Sequence, residues 1–129
     1  IIVSNAEKNP AIARQNLESI YRRQLFFDQN NQPVTPINLP PMHPLREAFS
    51  LYLFNQKPQN MQAYWNEQYF HGTSPPHVVA SPEAMKRIIE ITPGAVGYVL
   101  QCQLDERVRV LWSIDIDIQD DLLDILCSK

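Results

Sequence analysis

Prolines at the beginnings of amphipathic segments constrain the fold of this chain more than any other feature. The chain contains eleven prolines and only three glycines in 129 residues. Helices are predicted to begin at three of these prolines, Pro10, Pro44 and Pro82, where the missing N–H of a proline is tolerated. The scarcity of glycine excludes the Gly-rich phosphate loops of P-loop and dinucleotide-binding proteins, because those loops need several glycines within one turn.

The spacing of apolar residues predicts strands that alternate with these helices. Helices are predicted over residues 10–24, from Pro44 into the fifties, over 60–71, from Pro82 to about 92, and from 120 to the end. Short apolar runs predict strands at residues 1–3, 34–39, 77–79 and 95–100. Pro36 places the second of these strands at the edge of a sheet. This alternation indicates an α/β class with a mixed sheet and flanking helices.

Two further apolar patterns are predicted to be buried. Residues 108–118 alternate strictly between apolar and mainly polar side chains, which predicts one long strand with a single apolar face. That face needs a cover, either a second copy of the chain in a sheet-to-sheet homodimer or the terminal helix with its leucines. In the third helix an aromatic cluster recurs at helical spacing and is predicted to pack in the core: Tyr64, Trp65, Tyr69 and Phe70.

The charge of the chain is uneven along its length. The formal net charge is −3, and no basic surface is available for nucleic acid or an anionic membrane. No apolar run reaches the roughly 20 residues of a membrane span. Residues 101–129 hold seven acids and three bases, and their spacing lacks the glycine turn and terminal Glu of an EF-hand, which favours a solvated acidic face over a calcium site. We therefore expect one domain over residues 1–129, with 101–129 as an acidic strand-plus-helix extension.

No catalytic or metal-binding motif is present in the sequence. The chain has no Gly-x-Ser-x-Gly, Ser-x-x-Lys, His-Glu-x-x-His or Cys-x-x-Cys pattern, so no catalytic residue is predicted and the protein is not expected to be an enzyme. His43, His71 and His77 would make a zinc site only if three separate loops converged, and solvated loop histidines fit their spacing better. No cofactor is predicted.

The order of several segments resembles the short phosphate-transporter-type periplasmic substrate-binding proteins. The segment that carries most of the resemblance is Pro93-Gly-Ala-Val-Gly-Tyr-Val99, in which Gly94 ends a helix. Earlier pieces occur in the family's order: Ile20-Tyr21 with its polar turn, Val34-Thr-Pro-Ile-Asn-Leu39, Pro44-Leu-Arg-Glu-Ala-Phe49, Tyr64-Trp65 to Phe70-His-Gly72, and Pro75-Pro76. The resemblance covers about residues 10–100 and implies one lobe of a type 2 periplasmic-binding fold, without the second lobe that closes over the ligand in full receptors.

The resemblance also implies a site for phosphate, sulfate or another oxyanion. The family's Ser-Gly-Thr-type turn, which opens a helix and grips the anion, aligns with residues 43–45, where Pro44 offers no N–H and Leu45 no hydroxyl. His43, Leu45 and Arg46 are therefore the predicted ligand-binding residues, with Thr73 and Ser74 nearby. A surface ion pair of Arg46 with Glu47 or Glu83, and a plain turn at residues 72–74, are the alternatives.

A periplasmic location, with a leader removed, follows from the same resemblance. A secreted compartment permits a disulfide bond, and the chain has two cysteines, Cys102 and Cys127. We expect these to form a bridge that ties the acidic extension to the sheet, the alternative being two separate thiols. The function expected is weak oxyanion binding without catalysis, and the alternative is a ligand-free interaction or sensory module. Either function implies a membrane-protein or periplasmic partner, or a second copy of the chain.

Overall fold

A mixed sheet lies at the centre of the structure. A computed structural model describes residues 2–5, 13–116 and 118–127. Five strands are present in these residues: β1 (Ile2–Asn5), β2 (Thr35–Asn38), β3 (His77–Val78), β4 (Ala95–Val99) and β5 (Arg109–Ser113). Their order is β3-β2-β4-β1-β5, with β2 parallel to β3 and β4, and β1 antiparallel to β4 and β5. The α/β class with a mixed sheet is confirmed.

The helices begin largely where the prolines predict. They are α1 (Leu17–Tyr21), α2 (Pro44–Phe54), α3 (Gln62–Phe70), α4 (Pro82–Ile91) and α5 (Asp120–Leu126), with 3-10 turns at Arg14–Asn16, Pro58–Met61 and Gln101–Gln103. The starts at Pro44 and Pro82 are confirmed, and Pro10 lies outside the described residues. The predicted end of the first helix at residue 24 is wrong. Arg23 takes a left-handed backbone conformation with φ 61°, which ends the helix at Tyr21.

Strand β2 lies inside the sheet, so the predicted edge position is wrong. The Thr35 N–H donates to Gly94 O on the β4 side. Successive residues of a strand direct their backbone groups to opposite sides, so the Pro36 nitrogen points away from β4. β3 pairs only with Ile37 and Asn38, and its ladder has not begun opposite Pro36. A proline is thus accommodated in an interior strand because its neighbour is only two residues long.

The core is built on both faces of β4, all of whose residues are buried. On one face the Tyr98 ring stacks on Phe49 of α2 at 3.9 Å between centroids, and Tyr21 of α1 meets Phe49 edge-on at 5.0 Å. On the other face Gly97 lets α4 approach closely. A Cβ at Gly97 would overlap the Met85 sulfur and lie 2.7 Å from Ile89 Cδ1. The predicted strand at residues 95–100, covered on both faces, is confirmed.

The predicted long strand over residues 108–118 is wrong in length and in its single apolar face. β5 ends at Ser113, which pairs with Ile2 of β1. A β-bulge lies opposite the step from Val3 to Ser4, where the pairing moves from Trp112 to Val110. The extra residue reverses the alternation, so Val110 is 46 % exposed although Ile114 is buried. Of the two covers expected for this segment, the terminal helix is present, and its Leu123 and Leu126 pack against the core.

The predicted burial of the aromatic cluster on α3 is also wrong. Tyr69 is 73 % exposed and Phe70 is 84 % exposed, and no residue of α3 is fully buried. Tyr64 and Trp65 are half-buried, with the Tyr64 hydroxyl donating to Arg22 O at 2.6 Å. α3 thus lies on the rim of the domain. None of the helices in the described residues combines the length and the apolar character needed to cross a bilayer.

Candidate functional site

The carboxyl ends of the parallel strands meet at one edge of the sheet, and the predicted anion-binding helix starts there. β2 is followed by α2, β3 by α4, and β4 by the 3-10 turn at Gln101–Gln103. From β2 the chain crosses to β3 on one side of β2. From β3 it crosses back over β2 to form β4 on the other side, so the two connections run in opposite directions across the sheet. In open α/β sheets ligands bind outside the carboxyl ends at such a reversal. The start of α2 is therefore the first candidate site.

His43 occupies the N-cap position of α2 and uses its own side chain there. Its Nδ1 accepts a hydrogen bond from the Leu45 N–H at 3.1 Å, and its carbonyl accepts from Glu47 N. Pro44 has no N–H to offer. Partial burial lowers the pKa of His43 below its usual range, which favours the neutral ring that this hydrogen bond needs. One amide that a bound anion would use is thus already satisfied by the imidazole.

Arg46 lies in the first turn of α2 with its guanidinium partly buried. Its Nη1 donates to Leu39 O at 3.0 Å, and among the described residues it forms no ion pair. The expected alternatives, pairs with Glu47 or Glu83, are not formed. Desolvation lowers the pKa of Arg46, and the nearby phenol groups of Tyr98 and Tyr21 act in the opposite direction. The site therefore contains a cation without a carboxylate to balance it.

A buried polar network lies directly behind Arg46. The Tyr98 hydroxyl donates to Asn38 Oδ1 and accepts from the Leu39 N–H at 3.2 Å. The Tyr21 hydroxyl donates to Ile37 O at 2.8 Å. Burial raises the pKa of both tyrosines above the usual range, so both hydroxyls keep their protons. Sequence reasoning did not identify these residues, although a tyrosine in a fully buried strand signals a hydroxyl that needs a partner.

The enclosed space beside this network is too small for an anion. The cavity has a volume of about 10 Å³, roughly that of a single water molecule, and Tyr21, Asn38, Arg46 and Trp65 contribute to its walls. A phosphate or sulfate held by Arg46 would therefore contact the guanidinium from the open side of the helix start, not from inside the domain.

Thr73 and Ser74 are not brought together with residues 43–46. They precede β3, whereas His43 follows the carboxyl end of β2. Because β2 and β3 are parallel, residues before one strand and after the other lie at opposite edges of the sheet. Sequence analysis missed this separation because the relative direction of two strands is a tertiary property. Gly72, with φ 82°, makes the turn that leads into this loop.

The acidic extension approaches the start of α2. A surface hollow of about 340 Å³ is bordered by Met42, Pro44 and Glu47 on one side and by Ile118 and Leu122 on the other. Met42 is 79 % exposed at its rim. The extension lies outside the segments that carry the family resemblance, and it runs beside the predicted anion site at residues 43–46.

A disulfide bond between Cys102 and Cys127 ties the end of α5 to the turn that follows β4. The two Cα atoms are 5.7 Å apart, within the usual range for such a bond. Gln103 adds a polar bridge, since its side chain accepts from Leu100 N at 2.9 Å and donates to Leu126 O at 3.2 Å. The end of α5 is therefore fixed to the residues that follow β4.

An ion cluster beside the disulfide was not predicted from the sequence. The Lys86 side chain is only 8 % exposed, and its Nζ lies 3.0 Å from Asp105 and 3.2 Å from Glu83. It also donates to Gln103 O at 2.7 Å. Arg107 contacts both carboxylates at 2.6 Å. The two cations and two carboxylates balance one another, so this cluster fastens α4 to the extension.

The three histidines stay apart. His43 caps α2, His71 lies 3.0 Å from Glu67 on α3, and His77 begins β3. Within the described ranges no three His, Cys, Asp or Glu side chains converge as they would around a metal ion. The structure therefore offers no metal-ligating group in these ranges for the site to use.

Comparison with known proteins gives a likeness in structure, not in sequence. No protein-family model matches the chain, and no curated protein matches its sequence. The fold is similar to the crystal structure of an ABC-type phosphate transport receptor from Vibrio cholerae, with a TM-score of 0.63 and 16 % sequence identity. The match covers 84 % of this chain and 43 % of the receptor chain, so the chain spans less than half of the receptor's length. The chain therefore has the fold of a lobe of a periplasmic-binding protein.

Proposed function

We propose that this chain is a non-enzymatic solute-binding-type domain that holds a small oxyanion weakly at the start of α2. The observation that carries the proposal is Arg46, a partly buried cation without an acidic partner, placed beyond the carboxyl end of an interior parallel strand. Phosphate is the reference ligand, because the chain shares its fold with a protein described as a phosphate transport receptor.

The geometry of the helix start supports weak binding. A helix N-terminus attracts anions through free N–H groups, but here Pro44 has none and the Leu45 N–H is bonded to His43. Arg46 and the outer face of His43 remain as the principal groups. Thr73 and Ser74 are left out of the proposed site because they lie at the other edge of the sheet. We expect a dissociation constant of about 1–10 mM, equivalent to about 3–4 kcal/mol of binding free energy.

The location and the partner belong to the same proposal. A disulfide bond persists in an oxidising compartment, which agrees with a periplasmic location. A receptor-type domain would hand its solute to a membrane transporter or another periplasmic protein. Such a partner, or a second copy of the chain, would contact the open side of the α2 start.

The second candidate function is an interaction or sensory module that has lost the ligand. The specific observation in its favour is the His43 cap, which satisfies the Leu45 amide without any anion. The extension beside α2 would then be part of the contact surface.

An NMR titration of the amide signals with sodium phosphate at constant ionic strength distinguishes the two functions. Weak oxyanion binding predicts saturable shifts at Leu45 and Arg46, and their loss in Arg46→Gln, which keeps a donor for Leu39 O. The matched control is Arg87→Gln, which removes an exposed charge from α4. Thermal melts establish that each variant is folded. Non-saturating shifts in the wild type, or equal binding by Arg46→Gln, would reject the oxyanion site and favour the interaction module.

A further inference from the structure

A second and larger hollow lies at the amino edge of the parallel strands, away from the α2 start. Its volume is about 530 Å³, within the range of small-molecule sites. Its walls consist of two phenylalanines, Phe26 and Phe27, four prolines, Val34, and the polar residues Arg23, Thr35 and His77. Both phenylalanines are exposed, at 40 % and 49 %. The hollow thus presents aromatic surface together with few polar groups.

The hollow exists because β3 is short. The ladder between β2 and β3 begins at Ile37, so the outer side of Thr35 and Pro36 has no strand beside it. One wall is the loop of residues 27–33, closed by a bridge between Phe27 and Pro33 and by Asp28, whose Oδ1 accepts from two backbone amides. Prolines in the walls have fixed φ angles and few alternative conformations. The hollow is therefore formed before any ligand arrives.

Arg23 gives the hollow a positive charge that its walls do not balance. None of the lining residues is Asp or Glu, and among the described residues Arg23 forms no ion pair. Its guanidinium carbon lies 5.0 Å from the centre of the Phe26 ring. Its Nε is shielded from solvent and has no hydrogen-bond acceptor, and its backbone has a φ of 61°. A buried donor without an acceptor and an arginine with a left-handed backbone both cost folding free energy, and such features are concentrated at functional sites.

We propose that this hollow binds a small carboxylic acid with an aromatic or branched aliphatic body. The carboxylate would pair with the Arg23 guanidinium, which matches its planar geometry, and the apolar body would lie against Phe26, Phe27 and the prolines. Pairing through Nε requires the guanidinium to move off the Phe26 ring. Inorganic phosphate would leave the apolar walls uncovered. The terminal residue of a peptide presents the same chemistry as a free acid, so the test includes both sources.

The test uses phenylacetate and its neutral counterpart phenylacetamide in NMR titrations of the whole chain. Phenylacetate is expected to give saturable shifts at Phe26, Phe27 and Thr35, and phenylacetamide to bind at least about tenfold more weakly because it lacks the charge. Arg23→Gln should weaken phenylacetate binding by a similar factor, Arg23→Lys by less, and the control Arg87→Gln not at all. Arg23→Gln removes no side-chain hydrogen bond to any of the described residues, so it should fold, and a thermal melt checks this.

A further titration with a peptide distinguishes a free acid from the carboxyl end of a peptide chain as the ligand. Acetyl-Pro-Phe with a free carboxylate is compared with phenylacetate, and tighter binding of the peptide assigns the site to a chain end, whereas tighter binding of phenylacetate assigns it to a free acid. Equal affinity for phenylacetamide, an unaffected Arg23→Gln variant, or shifts confined to residues 43–46 would each overturn the proposal. The phosphate titration reports on the α2 start alone, so failure of one proposal is distinguishable from failure of the other.

Discussion

The two parts of the chain are held in place by different forces. The lobe, residues 13–100, contains nearly all of the fully buried side chains, with Tyr21, Phe49 and Tyr98 at their centre. Of the described residues of the extension, 101–116 and 118–127, only Val108 and Ile114 belong to the buried core. The extension is attached instead by the pairing of β5 with β1 and by the ion cluster, and within it a disulfide bond and the Gln103 side chain hold α5 against the turn that follows β4. Truncating a buried side chain should therefore cost more stability in the lobe than in the extension, where α5 should depend on these individual links.

The largest difference is expected between two truncations of apolar side chains. Phe49→Ala removes a ring that is 2 % exposed and packed between two tyrosines, which should cost about 3–5 kcal/mol of unfolding free energy. Leu123→Ala removes a partly buried side chain of α5 and should cost about 1 kcal/mol. Urea denaturation of both variants measures the two losses. Comparable losses would mean that the extension is an integral part of the core.

The disulfide bond is the second test of this comparison. Its partners are 25 residues apart, and removing it with Cys102→Ser and Cys127→Ser should cost roughly 3 kcal/mol by loop-closure entropy. The loss should appear first as faster amide hydrogen exchange in α5, while β4 keeps its protection. Wild-type protein under reducing conditions serves as the matched control. Uniform acceleration across β4 and α5 would show that lobe and extension unfold as one unit.

Features encoded by neighbouring residues were predictable from the sequence, and those encoded by distant contacts were not. The starts of α2 and α4 follow from Pro44 and Pro82, and the burial of β4 follows from its continuous apolar run. The left-handed conformation of Arg23 and the bulge in β5 have no local signature, because neither position carries a glycine or another residue that would indicate it. The bulge arises in the pairing of β5 with β1, which is more than 100 residues away in the sequence.

The candidate site shows the same division. Arg46 was correctly placed at the start of α2, but its hydrogen bond to Leu39 O depends on where β2 ends in space. Thr73 was expected near residues 43–46 but lies at the opposite end of the parallel strands, because the direction of β3 relative to β2 is set by the crossover between them. Two partners of Lys86, Gln103 and Asp105, lie 17 and 19 residues downstream, where sequence analysis indicated only a solvated acidic face.

Acid should weaken the extension before it weakens the core of the lobe. Hydrogen bonds from Arg107, with a further contribution from Lys86, hold the pKa of Asp105 well below its usual range. A depressed folded-state pKa gives stability that is present above the unfolded value of about 3.9 and is lost as the pH falls toward the folded value. Asp105→Asn should cost about 1–2 kcal/mol at pH 7 and should flatten the acid limb of the melting profile.

The matched control for Asp105→Asn is Asp121→Asn, which removes an exposed acid from α5. It should leave both the stability at pH 7 and the acid limb unchanged. Melting profiles from pH 7 to pH 2 that coincide for Asp105→Asn and the wild type would contradict the role given to the ion cluster.

The smallest effect is expected where the extension approaches the lobe, at the His43 cap. His43→Ala removes the acceptor of the Leu45 N–H and should cost about 1 kcal/mol above pH 7. Because burial lowers the pKa of His43, the cap contributes fully above the unfolded value of about 6.5, and its contribution is lost as the pH falls through the lower folded value. The protonated ring cannot accept at Nδ1, so the Leu45 amide is released beside a new positive charge.

If the oxyanion site is correct, sulfate, whose charge does not change in this range, should bind more tightly to the wild type as the pH falls from 7.5 to 5, and His43→Ala should lack this increase. The control His71→Ala, which changes an exposed histidine on α3, should keep it. A cost for His43→Ala that is the same at pH 5 and pH 7.5 would show that the imidazole contributes packing and not the cap.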